Sequence, residues 1–264
     1  MNKINTFFSI CIPTYNSVKL LDRLIKSILI QTFKNFEVII SDDSTNDNVY
    51  KYYKSLNYKN ISYYKHKSKI SATENWNFAM KKATGNYKIL IHHDDFFKDN
   101  FTLEKIYKEY LSNGNMMVYF LKFINEDNFV RFYYDKFSLN CIFKKPQDLL
   151  YVNYFSTPSC VVLNNKVDLV YNENLKWLVD VDFYSRLFMT YDNIKLISNA
   201  TIVIGGGDER ITKTIKSKDI LNEFYLLTNK QIYKFKIGLF FIKLMKLKII
   251  ITQYLFSKFN VKKK

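Results

Sequence analysis

Apolar residues follow two rhythms in the first part of the chain. Short runs rich in Phe, Tyr, Ile and Val at 7–12, 36–40, 61–64 and 87–91 read as strands. Between them the apolar positions recur at helical spacing. In 18–30, Leu20, Leu21, Leu24, Ile25, Ile28 and Leu29 mark one helical face behind Ser17, a residue type suited to capping. Segments 47–56 and 71–82 supply a second and a third helix, the latter ending near Gly85. Strand and helix alternating in this way is the mark of βαβ units around a mainly parallel sheet, so the expected class is α/β.

The pattern weakens further along. A helix is expected at 99–111, and 116–134 is aromatic and β-leaning, a hairpin or a set of edge strands. A strand at 160–163, a short helix at 181–189 and two strand-like pieces within 194–204 follow, before Gly205, Gly206 and Gly207, which read as a flexible loop. The segment 217–264 reads as one or two helices with lysines scattered around the wheel, and no internal repeat is present.

Composition places the chain among folded globular proteins: 48% hydrophobic, 17% aromatic and 24% charged. The net charge of +16 is unevenly spread. From Phe224 to Lys264 there are 10 lysines and no acid, which leaves +6 for residues 1–223. A nucleic-acid binder interleaves its basic residues on a folded face, so nucleic acid is not an expected partner. A tail dense in Lys, Phe, Leu and Ile suits an anionic membrane surface instead, while its lysines interrupt any span. The apolar run at 7–12 is too short for a signal-peptide core and stops at Pro13. The expected location is therefore cytoplasmic, peripheral on the inner face of the cytoplasmic membrane. Cys11, Cys141 and Cys160 are odd in number and far apart, which fits neither a disulfide framework nor a zinc ribbon.

Candidate chemistry sits where strands end. Asp94 and Asp95 close the fourth strand and suit a hard divalent cation; they equally suit a helix cap and its dipole. Asp42 and Asp43 after the second strand carry the same two readings, ligand contact or Asx-turn. Open α/β sheets bind ligands at such carboxyl ends. His92 and His93 could be metal ligands, but a His pair at a strand end is more often a packing or solvent contact, and imidazole is an odd choice for Mg²⁺. In 177–186, Asp182 and Arg186 stand at i,i+4 spacing for an ion pair, and Asp180 sits at the helix entrance, able to cap it or face a cleft. No Walker A, G-x-G-x-x-G, H-E-x-x-H or G-x-S-x-G motif occurs, which removes the main support for P-loop, dinucleotide, zinc-protease and nucleophile-elbow readings.

Over residues 6–205 the chain resembles the inverting family 2 glycosyltransferases of the GT-A fold. The likeness is carried by Ile10-Cys11-Ile12-Pro13-Thr14-Tyr15-Asn16, by Gln31-Thr32-Phe33 through Phe36-Glu37-Val38-Ile39-Ile40-Ser41-Asp42-Asp43-Ser44, by Asn77 with Ala83-Thr84-Gly85-Asn86-Tyr87, and by His92-His93-Asp94-Asp95. The resemblance implies a Rossmann-like sheet flanked by helices over 1–215, with a nucleotide-binding half at 1–112, an acceptor half at 113–215 and a helical, lysine-rich membrane-associating tail at 216–264. It implies a nucleotide site at Pro13, Thr14, Tyr15, Asn16, Asp42, Asp43, Asn77 and His93, with Tyr15 near the base and Asp43 accepting from its imide. Mn²⁺ or Mg²⁺ is implied at Asp94 and Asp95, with His92 standing where the family has its first acid. Asp180, six residues before Arg186, takes the place of the catalytic base, with Val179 in the position of the family's preceding Glu. No histidine follows His93, which leaves Asp208 or Glu209 as stand-ins for a late metal ligand. The implied activity is hexosyltransferase-type transfer from a nucleotide sugar, a UDP-sugar above all, to a hydroxyl of a glycan or lipid-linked acceptor in cell-surface polysaccharide or lipooligosaccharide biosynthesis. A catalytically inactive nucleotide-sugar-binding or scaffold protein of the same fold is the alternative.

Overall fold

Strand β1 (Phe8–Thr14) is buried at every residue, as a strand must be when covered on both faces. It pairs in parallel with β2 (Phe36–Asp42) and with β4 (Tyr87–Leu90), and β3 (Ile61–Lys65) extends the parallel run beyond β2. The computed structural model, which describes residues 6–126, 146, 149, 153, 155, 157–206 and 217–229, continues this run into one 8-stranded sheet of order β3-β2-β1-β4-β7-β6-β8-β5. There β7 (Val161–Asn164) lies antiparallel to both β4 and β6 (Val118–Asn125). Strand β6 runs parallel to β8 (Ile194–Ile204), and β8 holds the two-residue β5 (Phe96–Phe97) antiparallel at the edge. Parallel pairings prevail in the first half and the sheet is mixed in the second. The two strand-like pieces expected at 194–204 are one strand with a bulge, because the partner of Leu121 is Ile197 and that of Lys122 is already Thr201.

Helix α1 (Val18–Leu29) buries Leu21, Leu24, Ile25 and Ile28. Ser17 stands at its N-cap but makes no capping bond, contrary to expectation. Burial decides the matter: about 2 kcal/mol for each such side chain outweighs the roughly 1 kcal/mol a cap contributes. Helices α2 (Asn48–Ser55) and α3 (Ala72–Lys81) follow, and α3 opens on a full capping box between Ser71 and Glu74. Helix α4 (Thr102–Asn113) stops at Gly114, whose φ of 73° lies in the left-handed region. Helix α5 (Val179–Thr190) precedes β8.

The first hydrophobic–polar contrast of the molecule lies along the strands. At the starts of β1 and β4, Phe7, Phe8, Phe33, Tyr87, Tyr107 and Tyr110 pack with centroids 4.7–6.4 Å apart, edge-on or tilted except for the stacked pair Tyr107 and Tyr110. Aromatics seal that end of the sheet, and the acids gather at the other.

The chain divides into two compact units, Met1–Arg210 and Ile211–Lys264. Of the second, helix α6 (Ser217–Asn229) is described; it buries Ile220, Phe224 and Leu227 at helical spacing and exposes Lys218 and Asp219. No helix among the described residues is long and apolar enough to cross a membrane. The tail beyond 229 lies outside the described residues, as do 127–134, Cys141, Gly207, Asp208 and Glu209.

Candidate active site

Parallel register brings the expected motifs to one edge. Thr14, the last residue of β1, lies beside Asp42, the last of β2, and Ile91 donates to the Cys11 carbonyl at 2.9 Å, carrying β4's exit alongside β1. The loops 13–16, 42–46 and 92–95 therefore leave the sheet together, where a parallel sheet offers its binding crevice.

Loop 13–16 is locked onto loop 42–46 by Asn16, whose φ of 51° is a left-handed conformation that asparagine tolerates. Its N–H donates to Ser44 Oγ at 2.7 Å, and its Oδ1 accepts from Thr45 N–H, Thr45 hydroxyl and Asn46 amide at 3.0–3.2 Å. Tyr15 is left 42% exposed at the rim. The Thr14 hydroxyl is buried without a hydrogen-bond partner among the described residues. His93 Nδ1 lies 3.3 Å from the Pro13 carbonyl, and because a carbonyl only accepts, this nitrogen carries the proton in that bond.

The acid pair of β2 divides its labour. Asp42 is fully buried; it accepts from Ser44 N–H at 2.8 Å in an Asx-turn, from the Tyr63 hydroxyl at 2.6 Å and from Lys65 Nζ at 3.3 Å. Both its oxygens are thus committed to the protein. Asp43 accepts from Ile70 N–H through Oδ1 at 3.1 Å. Asn77 is likewise committed: its amide donates to the Tyr171 carbonyl and Glu173, and its Oδ1 accepts from Tyr171 N–H, all at 2.9 Å. It ties α3 to the segment leading into α5.

In loop 92–95, one ligand atom each of His92, Asp94 and Asp95 fall within 4.8 Å of one another. Asp95 is buried, accepting from the Ser159 hydroxyl at 2.5 Å and the Thr157 hydroxyl at 3.2 Å on Oδ2, and from Gly205 N–H at 3.0 Å on Oδ1. Burial, and then the Asp94 charge, push its carboxyl up from the ordinary range. No hydrogen bond among the described residues ties the Asp94 carboxylate. Its carbonyl is gripped instead by Arg23 Nη2 at 2.5 Å, and Nη1 of the same guanidinium bonds both Glu126 oxygens at 2.7 and 2.9 Å. His92 lies against Trp76 with centroids 4.7 Å apart, and burial pushes its pKa down and keeps the ring neutral. Neutral imidazole and two carboxylates form a donor set that fits a divalent cation.

Trp76 packs edge-on against Tyr171, and Tyr171 stacks on Phe183 of α5 with centroids 4.2 Å apart, so an aromatic chain runs from His92 toward Asp180. Asp180 lies within the first turn of α5, not at its entrance, since the helix already starts at Val179. It is half-buried; Oδ1 accepts from Val181 N–H and Oδ2 from the Asn153 amide, both at 2.8 Å. Burial outweighs these bonds and pushes its carboxyl up to about 7. Asp182 and Arg186 form the expected pair at 2.7 Å, with the Asp182 side chain only 4% exposed. Cys11 and Cys160 are buried free thiols.

Four supports of the site escape sequence reasoning. Thr157 and Ser159 precede β7 in no motif, and Arg23 looks like any polar position of α1. Gly205 reads as loop, yet it is buried, and a Cβ there would collide with the Asp94 carbonyl. A flexible loop is the wrong description of that residue: its missing side chain lets β8 approach the acid loop.

A sheet whose parallel strands bring their carboxyl-end loops together around an acid-rich cluster is the arrangement of a ligand-binding α/β protein. The family model described as glycosyl transferase family 2 matches residues 9–169. The chain belongs to this family. An uncharacterized glycosyltransferase of Rickettsia conorii is 33% identical over 128 residues, 48% of this chain and 18% of that protein. The GalNAc(5)-diNAcBac-PP-undecaprenol beta-1,3-glucosyltransferase of Campylobacter jejuni is 32% identical over 90 residues, 33% of this chain and 29% of that protein. The chain matches less than a third of the length of either relative. Among solved structures, S. aureus TarS 1-349 in complex with UDP-GlcNAc aligns with a TM-score of 0.65 at 18% identity, over 85% of this chain and 67% of that one. The fold is the GT-A fold.

Proposed function

We propose that the protein transfers a sugar, with inversion, from a nucleoside-diphosphate sugar to a hydroxyl of a cell-surface glycan or its lipid-linked precursor. The observation that carries this reading is the meeting of loops 13–16, 42–46 and 92–95 at one sheet edge, with Asp180 joined to them through Trp76, Tyr171 and Phe183. Uridine is the favoured base, a choice supported by the UDP-GlcNAc bound to TarS. The undecaprenol-linked glycan in the Campylobacter relative's name supports a lipid-linked acceptor.

In this reading Pro13, Thr14, Tyr15, Asn16, Asp43 and His93 line the nucleotide site, and Asp42 and Asn77 shape it from behind. A divalent cation, Mn²⁺ or Mg²⁺, held by Asp94 and Asp95 would neutralise the departing diphosphate. Asp180 takes the acceptor hydroxyl's proton as that oxygen bonds to the anomeric carbon and the bond to the diphosphate breaks. One displacement from the face opposite the leaving group inverts the configuration, so no covalent intermediate is needed.

Release of nucleoside diphosphate from a panel of nucleotide sugars, with and without chelator, tests the proposal. Release from one donor, abolished by chelator and by Asp94→Asn, is expected. Nucleotide binding without turnover of any donor would favour the scaffold alternative.

A further inference from the structure

The donor set at 92–95 contains an imidazole in a place where carboxylate alone would serve a hard cation. His92 is held in place: its backbone N–H donates to Ser159 Oγ at 3.0 Å and its ring packs on Trp76. Its Nε2 is buried and has no hydrogen-bond partner among the described residues. A buried, unpaired ring nitrogen costs free energy unless something occupies it. The Asp95 oxygen bonded by Gly205 accepts one hydrogen bond and keeps a lone pair. The three ligand atoms lie within 4.8 Å of one another, and opposite ligands of one ion at about 2.1 Å stand about 4.2 Å apart, so a small inward shift would bring all three onto one ion.

We propose that His92 is itself a metal ligand, so that the centre is an imidazole–dicarboxylate site selective for Mn²⁺ and similar transition ions over Mg²⁺. This rests on the metal reading above and adds to it a ligand and a preference. Carboxylate and water suit Mg²⁺, which holds its hydration shell and near-ideal octahedral geometry, whereas imidazole nitrogen favours the first-row transition ions. The side chain that sits beside Asp94 thereby sets which ion the nucleotide site employs.

The test is Mn²⁺ binding by the full chain, alone and with uridine or guanosine diphosphate, followed by electron paramagnetic resonance. Spin-echo modulation of the bound ion reads a directly coordinated nitrogen and needs no variant. The wild type is expected to bind Mn²⁺ with nitrogen modulation and to give it up to Mg²⁺ only at an excess of about tenfold or more. His92→Ala is expected to lose the modulation and at least about tenfold in Mn²⁺ affinity, and His92→Asp to narrow the preference over Mg²⁺. Bound Mn²⁺ without nitrogen modulation, released in Asp94→Asn, overturns the His92 assignment and leaves the metal reading standing. No Mn²⁺ uptake under any of these conditions overturns both.

Discussion

At the scale of single residues, two aspartates two positions apart in α5 have opposite fates. Asp180 keeps a proton well above the ordinary 3.8 and gives it up near 7, because burial outweighs its hydrogen bonds. The base form is therefore present only above that value, and kcat/KM is expected to rise with pH along a limb near 7. Asp180→Asn is expected to lower transfer by about two to four decades and to erase that limb, while calorimetry finds nucleotide binding unchanged. Near-normal transfer by this variant would remove Asp180 from the chemistry. The same shift has a stability sign: the folded state binds the proton more tightly than the unfolded one between 3.8 and about 7, so this group's contribution falls as pH rises through that window. Asp182 instead secures the helix. Its carboxylate is buried, so Asp182→Asn strands the Arg186 charge. The expected loss is about 3 kcal/mol, the low end for a broken buried pair, because Arg186 keeps 22% exposure and a second acceptor in the Val170 carbonyl. Urea unfolding decides it; a loss near the 0.5 kcal/mol of an exposed helical pair would mean the burial carries no weight.

At the scale of elements, the acid loop is held by pieces distant in sequence. Helix α1 reaches it through Arg23, the turn before β7 through Thr157 and Ser159, and the end of β8 through Gly205. Gly205→Ala tests whether this bracing matters, since its Cβ would run into the Asp94 carbonyl backbone. Overpacking of this kind costs about 1–3 kcal/mol. A lowered melting temperature is expected together with weakened nucleotide and Mn²⁺ binding, because the displaced carbonyl belongs to a proposed ligand. Unchanged melting and binding would show that β8 yields without disturbing the loop.

At the scale of the molecule, the charge is concentrated toward the C-terminal end of the sequence. The 10 lysines from Phe224 onward, with no acid among them, support a proposal that this end of the chain draws the protein to an anionic membrane and its lipid-linked acceptor. At about 1 kcal/mol per basic residue near the surface, several engaged lysines suffice for stable but reversible attachment. Flotation of the full chain with anionic vesicles is expected at low salt, fading as salt screens the attraction, with none on neutral vesicles. Equal partition into both vesicle types would contradict an electrostatic anchor.

The strands and helices of the first half were legible because each buries a local pattern: β1 is apolar throughout, and α1 carries its stripe at helical spacing. The family was legible for a related reason, since the four motif blocks are local strings at the ends of those strands. The acids, too, could be placed at the crevice from sequence, because parallel strands bring their carboxyl ends together. What each acid does was decided by tertiary contacts. Asp42 is spent on Ser44, Tyr63 and Lys65, Asp95 is walled in by Thr157, Ser159 and Gly205, and Asp182 is buried while Asp180 is only half-buried. Strand β5 has two residues, too few for any periodicity, and exists only because β8 offers it an edge. Partners so far apart along the chain leave no local pattern, so only the packed sheet decides which acids serve the fold and which remain free to act.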